Sequence, residues 1–193
     1  VRRSARTARP MPGLAGSAAF HTGTINLSRN GEGAVLPQQV EAAAVSRNFF
    51  RLLGVALEGP GWGASGDHVL VLSRQLAAHF GLKPGGSLRV NGTPYLVAGI
   101  APAGIALPRG VAAWLPLADP WTFAADPLQS RVLFFPVIGR LRPGVTAAAA
   151  QRQVIAAPAL PANLRSEVAV TPLRQSLVGD AAGALWLLLG AVG

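Results

Sequence analysis

The sequence has no cysteine, a single Met, a single Tyr and only eight acids in 193 residues. Without cysteine there is no disulfide framework and no thiolate-held zinc or iron–sulfur centre. Eight acids leave little for chemistry that needs paired carboxylates. Charge of any kind is scarce, at 13% of residues, where ordinary globular domains carry roughly a quarter. Lysine is almost missing, since Lys83 stands beside sixteen arginines. What is present is a chain that is 50% apolar, with 23 Gly, 16 Pro and a net charge of +9. That apolar fraction argues against wholesale disorder. The charge alone is compatible with nucleic acid, an anionic membrane surface or an arginine-biased solvated face.

The charge is uneven. Residues 1–51 carry seven Arg against Glu32 and Glu41, and Arg2, Arg3, Arg6 and Arg9 fall within the first ten. This start is not a secretory signal, because Pro10, Pro12, Gly13 and Gly16 interrupt the apolar stretch that a signal needs. It reads as the end of a solvated helix in a fragment of a longer protein. At the other end, the run from Ala181 to Gly193 carries no charge. A membrane span needs about 20 apolar residues, so the run is short for one. Two readings stand: a buried C-terminal core helix, or the first turns of a transmembrane helix. Gly183, Gly190 and Gly193, with Trp186 near the start, favour the second.

Between the ends, periodicity and turn residues alternate strands with helices. Residues 18–27 and 35–45 predict two strands joined by the turn-rich run 28–33. Residues 48–53 predict a short helix, stopped by Gly54. Residues 67–72 predict a buried strand, after which Ser73 caps a helix with Leu76, Ala77 and Phe80 inward and Gly81 at its end. Residues 87–90 and 94–100 flank Asn91-Gly92, the pair favoured in a two-residue hairpin turn. Residues 131–141 predict a further strand. Pro143-Gly144 turns the chain, Thr146 caps an Ala-rich helix to about 157, and residues 167–173 predict a last strand. The fold class is α+β, in two lobes.

Reactive constellations are hard to find. No phosphate-binding G-x-x-x-x-G-K-[ST] run is present, and Gly59-Pro60-Gly61-Trp62-Gly63 precedes no helix, so it reads as a loop. Ser65, Asp67 and His68 miss the spacing of a nucleophile elbow. His21, His68 and His79 have no metal-ligand spacing. Glu58, Asp67, Asp119 and Asp126 fall in separate predicted loops. The arginines are dispersed, with only Arg140-x-Arg142 and the N-terminal run clustered, and no aromatic motif of RNA-binding type surrounds Tyr95.

Six strings, in order, carry a resemblance. They are Val45-Ser46-Arg47-Asn48-Phe49-Phe50-Arg51-Leu52-Leu53-Gly54-Val55; Val69-Leu70-Val71-Leu72-Ser73 with Phe80; the hairpin Leu88–Pro102 around Asn91-Gly92 and Gly99; Ala113-Trp114-Leu115-Pro116-Leu117; Ile138-Gly139-Arg140-Leu141-Arg142-Pro143-Gly144-Val145-Thr146; and Pro172–Asp180. Together they resemble the MacB-like periplasmic core domain of ABC transporter permeases of the MacB/FtsX type. The family positions matched are Ser46, Asn48, Phe49, Phe50, Gly54, Ser73, Asn91, Gly92, Gly99, Trp114, Pro116, Gly139, Arg140, Pro143 and Gly144, and all read as fold-determining. The chain departs from the family at Ala56–Gly63, where a P-x-L-G-R-x-F pattern is usual.

The resemblance implies a porter-like α/β lobe over 1–58 and 131–178, a mainly β lobe inserted at 59–130, and the start of a transmembrane helix at 179–193. The first strand of the porter-like lobe lies upstream, which leaves a sheet edge unpaired. It implies an extracytoplasmic domain on the periplasmic side of the cell inner membrane. No catalytic, metal or cofactor-binding residue is expected, with ATP held only on a separate nucleotide-binding domain. The implied partners are an ABC ATP-binding subunit or domain, a second copy or paired permease, a periplasmic adaptor or lipoprotein, and membrane lipid, but no nucleic acid. A soluble α+β enzyme and a basic nucleic-acid-binding module are the competing readings.

Overall fold

The computed structural model describes residues 13–29, 36–62, 68–105, 107–117, 136–157 and 169–173. Within them the chain forms β1 (Leu14–Arg29), β2 (Gln38–Val45), α1 (Phe49–Leu53), β3 (Val69–Ser73), α2 (Arg74–His79), β4 (Ser87–Val90), β5 (Thr93–Ala101), β6 (Ala113–Pro116), β7 (Val137–Leu141) and α3 (Ala147–Ile155). The described residues divide into two compact units, one running from Ala18 to Val137 and the other joining residues 13–17 to those from Ile138 onward.

The first unit is built by closing a sheet on itself. β1 pairs antiparallel with β2 from Phe20↔Val45 to Leu27↔Gln38. It also pairs antiparallel with β4, from Leu27↔Val90 to Arg29↔Leu88. β2 runs parallel to β6, β6 antiparallel to β3, β3 parallel to β5, and β5 antiparallel to β4. The circuit β1-β2-β6-β3-β5-β4 thus returns to β1, a mixed six-stranded barrel. Each of the six strands has a neighbour on both sides, which removes the open edges a flat sheet would expose. The hydrogen bonding joins β1 and β2, assigned from sequence to the porter-like lobe, to β3–β6, assigned to the inserted lobe.

Alternation along the strands fills the barrel. Ile25 and Leu27, Val40 and Ala42, Leu70 and Leu72, Leu88 and Val90, Tyr95 and Val97, and Ala113 and Leu115 form one buried cluster, which also takes in Leu76, Ala77 and Phe80 of α2. Ser73 starts α2 where the sequence places it, its Oγ accepting from Leu76 N at 3.2 Å. Between β4 and β5, Asn91 (φ 49°) and Gly92 (φ 84°) both adopt left-handed backbone, as a type I′ turn requires. Asn91 does more than turn the chain. Its N–H donates to Asn26 O (2.8 Å) and its Oδ1 accepts from Asn26 N (2.9 Å), which extends the β4–β1 seam by one step.

The second unit brings the start of β1 beside β7. Arg142 N donates to Gly13 O (3.0 Å), and Arg142 Nε donates to Leu14 O (3.2 Å). Gly139 lies so close to Leu14 that a Cβ there would meet its Cδ1 at 2.9 Å. Gly144 (φ 78°) turns the chain into α3, whose N-cap Thr146 accepts from Ala149 N at 3.2 Å.

Several elements differ from the sequence reading. β1 runs four residues earlier than expected and two later, β2 begins at Gln38, and β6 was read only as a motif. A strand of four residues carrying a proline gives too few alternations to be recognised; Pro116 is tolerated because it lies at the last paired position of β6. Of the predicted strand 167–173, residues 169–173 show no strand. Residues 131–135 of the predicted strand at 131–141, and the apolar run 181–193, lie outside the described residues. No helix among the described residues is long and apolar enough to cross a membrane.

Filling of the barrel sets the stability of the first unit. Leu72→Ala, at a position 0% exposed, is expected to cost about 2–5 kcal/mol. The neighbouring Leu96→Ala, at 40% exposure, should cost less than about 1 kcal/mol. Urea unfolding of the two variants checks the contrast.

Candidate interaction surface

The outer face of the barrel is apolar where α1 covers it. Ala43 and Val45 of β2, Val71 of β3 and Trp114 of β6 point away from the barrel cluster, yet all are buried. The sequence V-S-R-N-F-F-R-L-L-G-V explains the cover. Ser46 leaves β2 with its N–H bonded to Ala19 O and its Oγ accepting from Ala19 N, both at 2.9 Å. Asn48 holds the N-cap position of α1, and its carbonyl accepts from Leu52 N at 2.8 Å. Gly54 adopts φ 74° and donates to Arg51 O (3.1 Å), while Val55 N donates to Phe50 O (2.9 Å). Those two bonds are a Schellman closure, and the left-handed residue it needs is why glycine stands there.

So fixed, α1 drives two aromatic rings inward. Phe49 is 0% exposed and Phe50 4%. The Phe50 ring lies 5.5 Å from Phe49, 5.8 Å from Trp62 and 5.7 Å from Trp114, and Phe49 meets Phe20 at 6.4 Å. These are edge or tilted contacts, the favourable arrangement for aromatic quadrupoles. Trp114 Nε1 donates to Leu107 O at 3.4 Å. Trp62 Nε1 is buried with no partner among the described residues, a placement that costs about 1–3 kcal/mol for a donor withdrawn from water.

The segment after α1 then runs back along β5. Glu58 exchanges both backbone bonds with Ile100 at 2.9 Å, and Gly61 N donates to Ala98 O at 2.9 Å. Gly99 faces this segment, where a Cβ would meet Glu58 O at 3.2 Å, so a side chain there would push it off. Between this segment and α1 lies an open groove of about 510 Å³, lined by Arg47, Phe50, Arg51, Val55, Leu57 and Trp62 among others. Arg47 donates from Nη1 to Trp62 O at 3.2 Å.

The other sequence candidates fall elsewhere. Pro116 is buried in β6, opposite Val45. Arg140 is exposed on β7, and Pro143 is exposed in the turn before α3. Glu58 is exposed and pairs with Arg74 at 3.3 Å. His68, with φ 67°, packs edge-on against Tyr95 at 5.0 Å. Ser65, Asp67, Asp119 and Asp126 lie outside the described residues. Among the described residues no group of three or more His, Asp or Glu is arranged to hold a metal. Every described arginine is exposed, so the charge that these residues carry is solvated. The groove itself was missed in the sequence, where Gly59–Gly63 read only as a loop. The signal that was there is Trp62, a large apolar side chain between glycines.

The family model for the MacB-like periplasmic core domain matches residues 3–157. The chain belongs to that family. Solved structures of similar fold agree. The periplasmic region of MacB from Actinobacillus actinomycetemcomitans is 12% identical, with a TM-score of 0.56 over 75% of this chain and 65% of that one. A domain of a putative permease protein from Porphyromonas gingivalis is 17% identical, with a TM-score of 0.55 over 73% and 62%. The extracellular domain of the noncanonic ABC-type transporter YknZ from Gram-positive bacteria is 12% identical, with a TM-score of 0.55 over 75% and 74%. The chain spans less than two thirds of the first two structures. No curated protein matches the sequence significantly. As a MacB-like periplasmic core domain, the chain is the extracytoplasmic part of a transporter permease.

The α1 closure predicts two separable effects. Phe50→Ala should cost about 3–5 kcal/mol by emptying the aromatic contact. Gly54→Ala should cost about 1–2 kcal/mol from left-handed backbone alone, because nothing lies within 4 Å of the added methyl. Thermal unfolding followed by tryptophan fluorescence distinguishes the two magnitudes.

Proposed function

We propose that this domain transmits motion. ATP hydrolysis on a separate nucleotide-binding subunit or domain drives the membrane helices of the permease. Those helices displace this domain on the periplasmic side of the inner membrane, and the displacement extrudes a substrate or acts on an extracytoplasmic partner such as an adaptor or lipoprotein. The permease works as a pair, with a second copy or a related subunit. The domain carries no cofactor and catalyses nothing itself, and the apolar run 181–193 begins a membrane helix beside lipid.

The observation that carries this reading is the family match over residues 3–157. The barrel gives it a physical basis. A sheet paired on both sides of every strand resists local deformation, so a push applied at one point moves the body as a whole.

This chain contributes no cysteine of its own. In the parent permease, with any cysteine elsewhere replaced, Thr24→Cys places one thiol on an exposed position of β1. A membrane-impermeant maleimide should label it in spheroplasts without permeabilisation. A spin label there should report a different environment or distance when a non-hydrolysable ATP analogue is added. Labelling only after the membrane is opened would overturn the location, and a signal indifferent to nucleotide would overturn the transmission.

A further inference from the structure

The seam between β1 and β4 is held differently from the rest of the barrel. It has three paired positions, against eight between β1 and β2. β3 and β6 share only two, but Ser73 N donates to Ala112 O at 2.8 Å beyond them, and the Phe50 ring packs against Trp114, one of the paired residues. β4 and β5 are joined by a two-residue turn, and Arg89 Nη1 ties that turn back to β4 by donating to Gly92 O at 2.7 Å. The β4–β5 hairpin therefore holds itself together without β1. Water reaches the outer side of the β1–β4 seam, where Asn26, Arg29, Arg89 and Asn91 are exposed and Ser28 is half-buried. Only its inner side is packed, by Leu27, Leu88 and Val90.

Asn91 makes good this short ladder. A hydrogen-bonded antiparallel pair exchanges two backbone bonds. Asn26 and Asn91 exchange one backbone bond, from Asn91 N to Asn26 O at 2.8 Å, and one to a side chain, from Asn26 N to Asn91 Oδ1 at 2.9 Å. The amide oxygen stands in for the carbonyl that the left-handed backbone of Asn91 turns elsewhere. Local opening follows supersecondary units whose backbone bonds are exposed to water. We propose that the barrel opens at the β1–β4 seam, the β4–β5 hairpin leaving β1 as one piece while β1 stays on β2, with the Asn91 side chain as the latch. Opening bares the facing edges of β1 and β4, rows of donors and acceptors that the closed barrel hides. The device rests on the barrel alone and stands independently of motion transmission.

Hydrogen exchange followed by NMR on the 193-residue chain, in dilute urea, tests it. Asn26 turns its N–H and C=O toward β4, and two residues on Ser28 does the same toward Arg89, directly opposite. The amides of Asn26, Ser28, Arg89 and Asn91 thus read the seam. Ser46, bonded to Ala19 O, Leu117, bonded to Val45 O, and Leu96, bonded to His68 O, are the references. The four seam amides should exchange through one shared opening, about tenfold or more faster than the references. Asn91→Gly keeps a residue at ease in left-handed backbone and removes only the side chain. It should speed the seam amides by about two- to tenfold beyond any change in the references. Asn91→Asp keeps an oxygen at the latch and should stay close to the wild-type rates. The proposal is overturned if the seam amides exchange no faster than the references, or if Asn91→Gly speeds all of them alike. It is also overturned if Asn91→Asp exchanges as fast as Asn91→Gly. Fast exchange at Asn26 and Asn91 with Ser28 and Arg89 as slow as the references overturns it too, since that is fraying of the turn alone.

Discussion

The double pairing of β1 is the constraint on which the first unit depends. Residues 20–27 of β1 satisfy their backbone against β2, and residues 27–29 satisfy theirs against β4. Leu27 is the pivot, opposed by Gln38 on one side and Val90 on the other while its side chain is 0% exposed in the barrel cluster. Remove either seam and the barrel opens into a sheet with two bare edges, each a row of unpaired donors and acceptors. The Asn91–Asn26 bonds reinforce the shorter seam, which has only three paired positions. A turn chosen for its left-handed backbone thus also serves as a fastener.

Closure has a second consequence, on the outside. A barrel of six strands is small, and its interior is filled by the alternating cluster and one end of α2. Outward positions would ordinarily be polar, yet Ala43, Val45, Val71 and Trp114 are not. Trp114 among them packs against the Phe50 ring of α1 at 5.7 Å. The outer layer of Phe20, Phe49, Phe50, Trp62 and Trp114 is a second core, held to the first by the parallel β2–β6 pair. The interaction groove is the seam where that cover ends. Its apolar wall and its arginines follow from the same segment, one that leaves β2, turns once as α1 and returns along β5.

Several residues of the six strings serve as caps, turns and close approaches. Ser46 ties the end of β2 to β1, Gly54 closes α1, Gly99 admits the returning segment, and Gly139 admits Leu14.

The sequence by itself determined the local elements. Asn91-Gly92 specified its hairpin, Ser73 and Thr146 specified where two helices start, and Gly54 specified where one stops, because each acts through bonds to residues within a few positions. The family was legible for the same reason, since its strings are made of such local signals. Only the tertiary structure decided that β1 would be shared between β2 and β4, that Ala113–Pro116 would be a strand between β2 and β3, and that Arg47 and Arg51 would face the segment bearing Trp62. Those outcomes depend on hydrogen bonds and contacts between residues far apart in the chain, and neither periodicity nor turn chemistry encodes them.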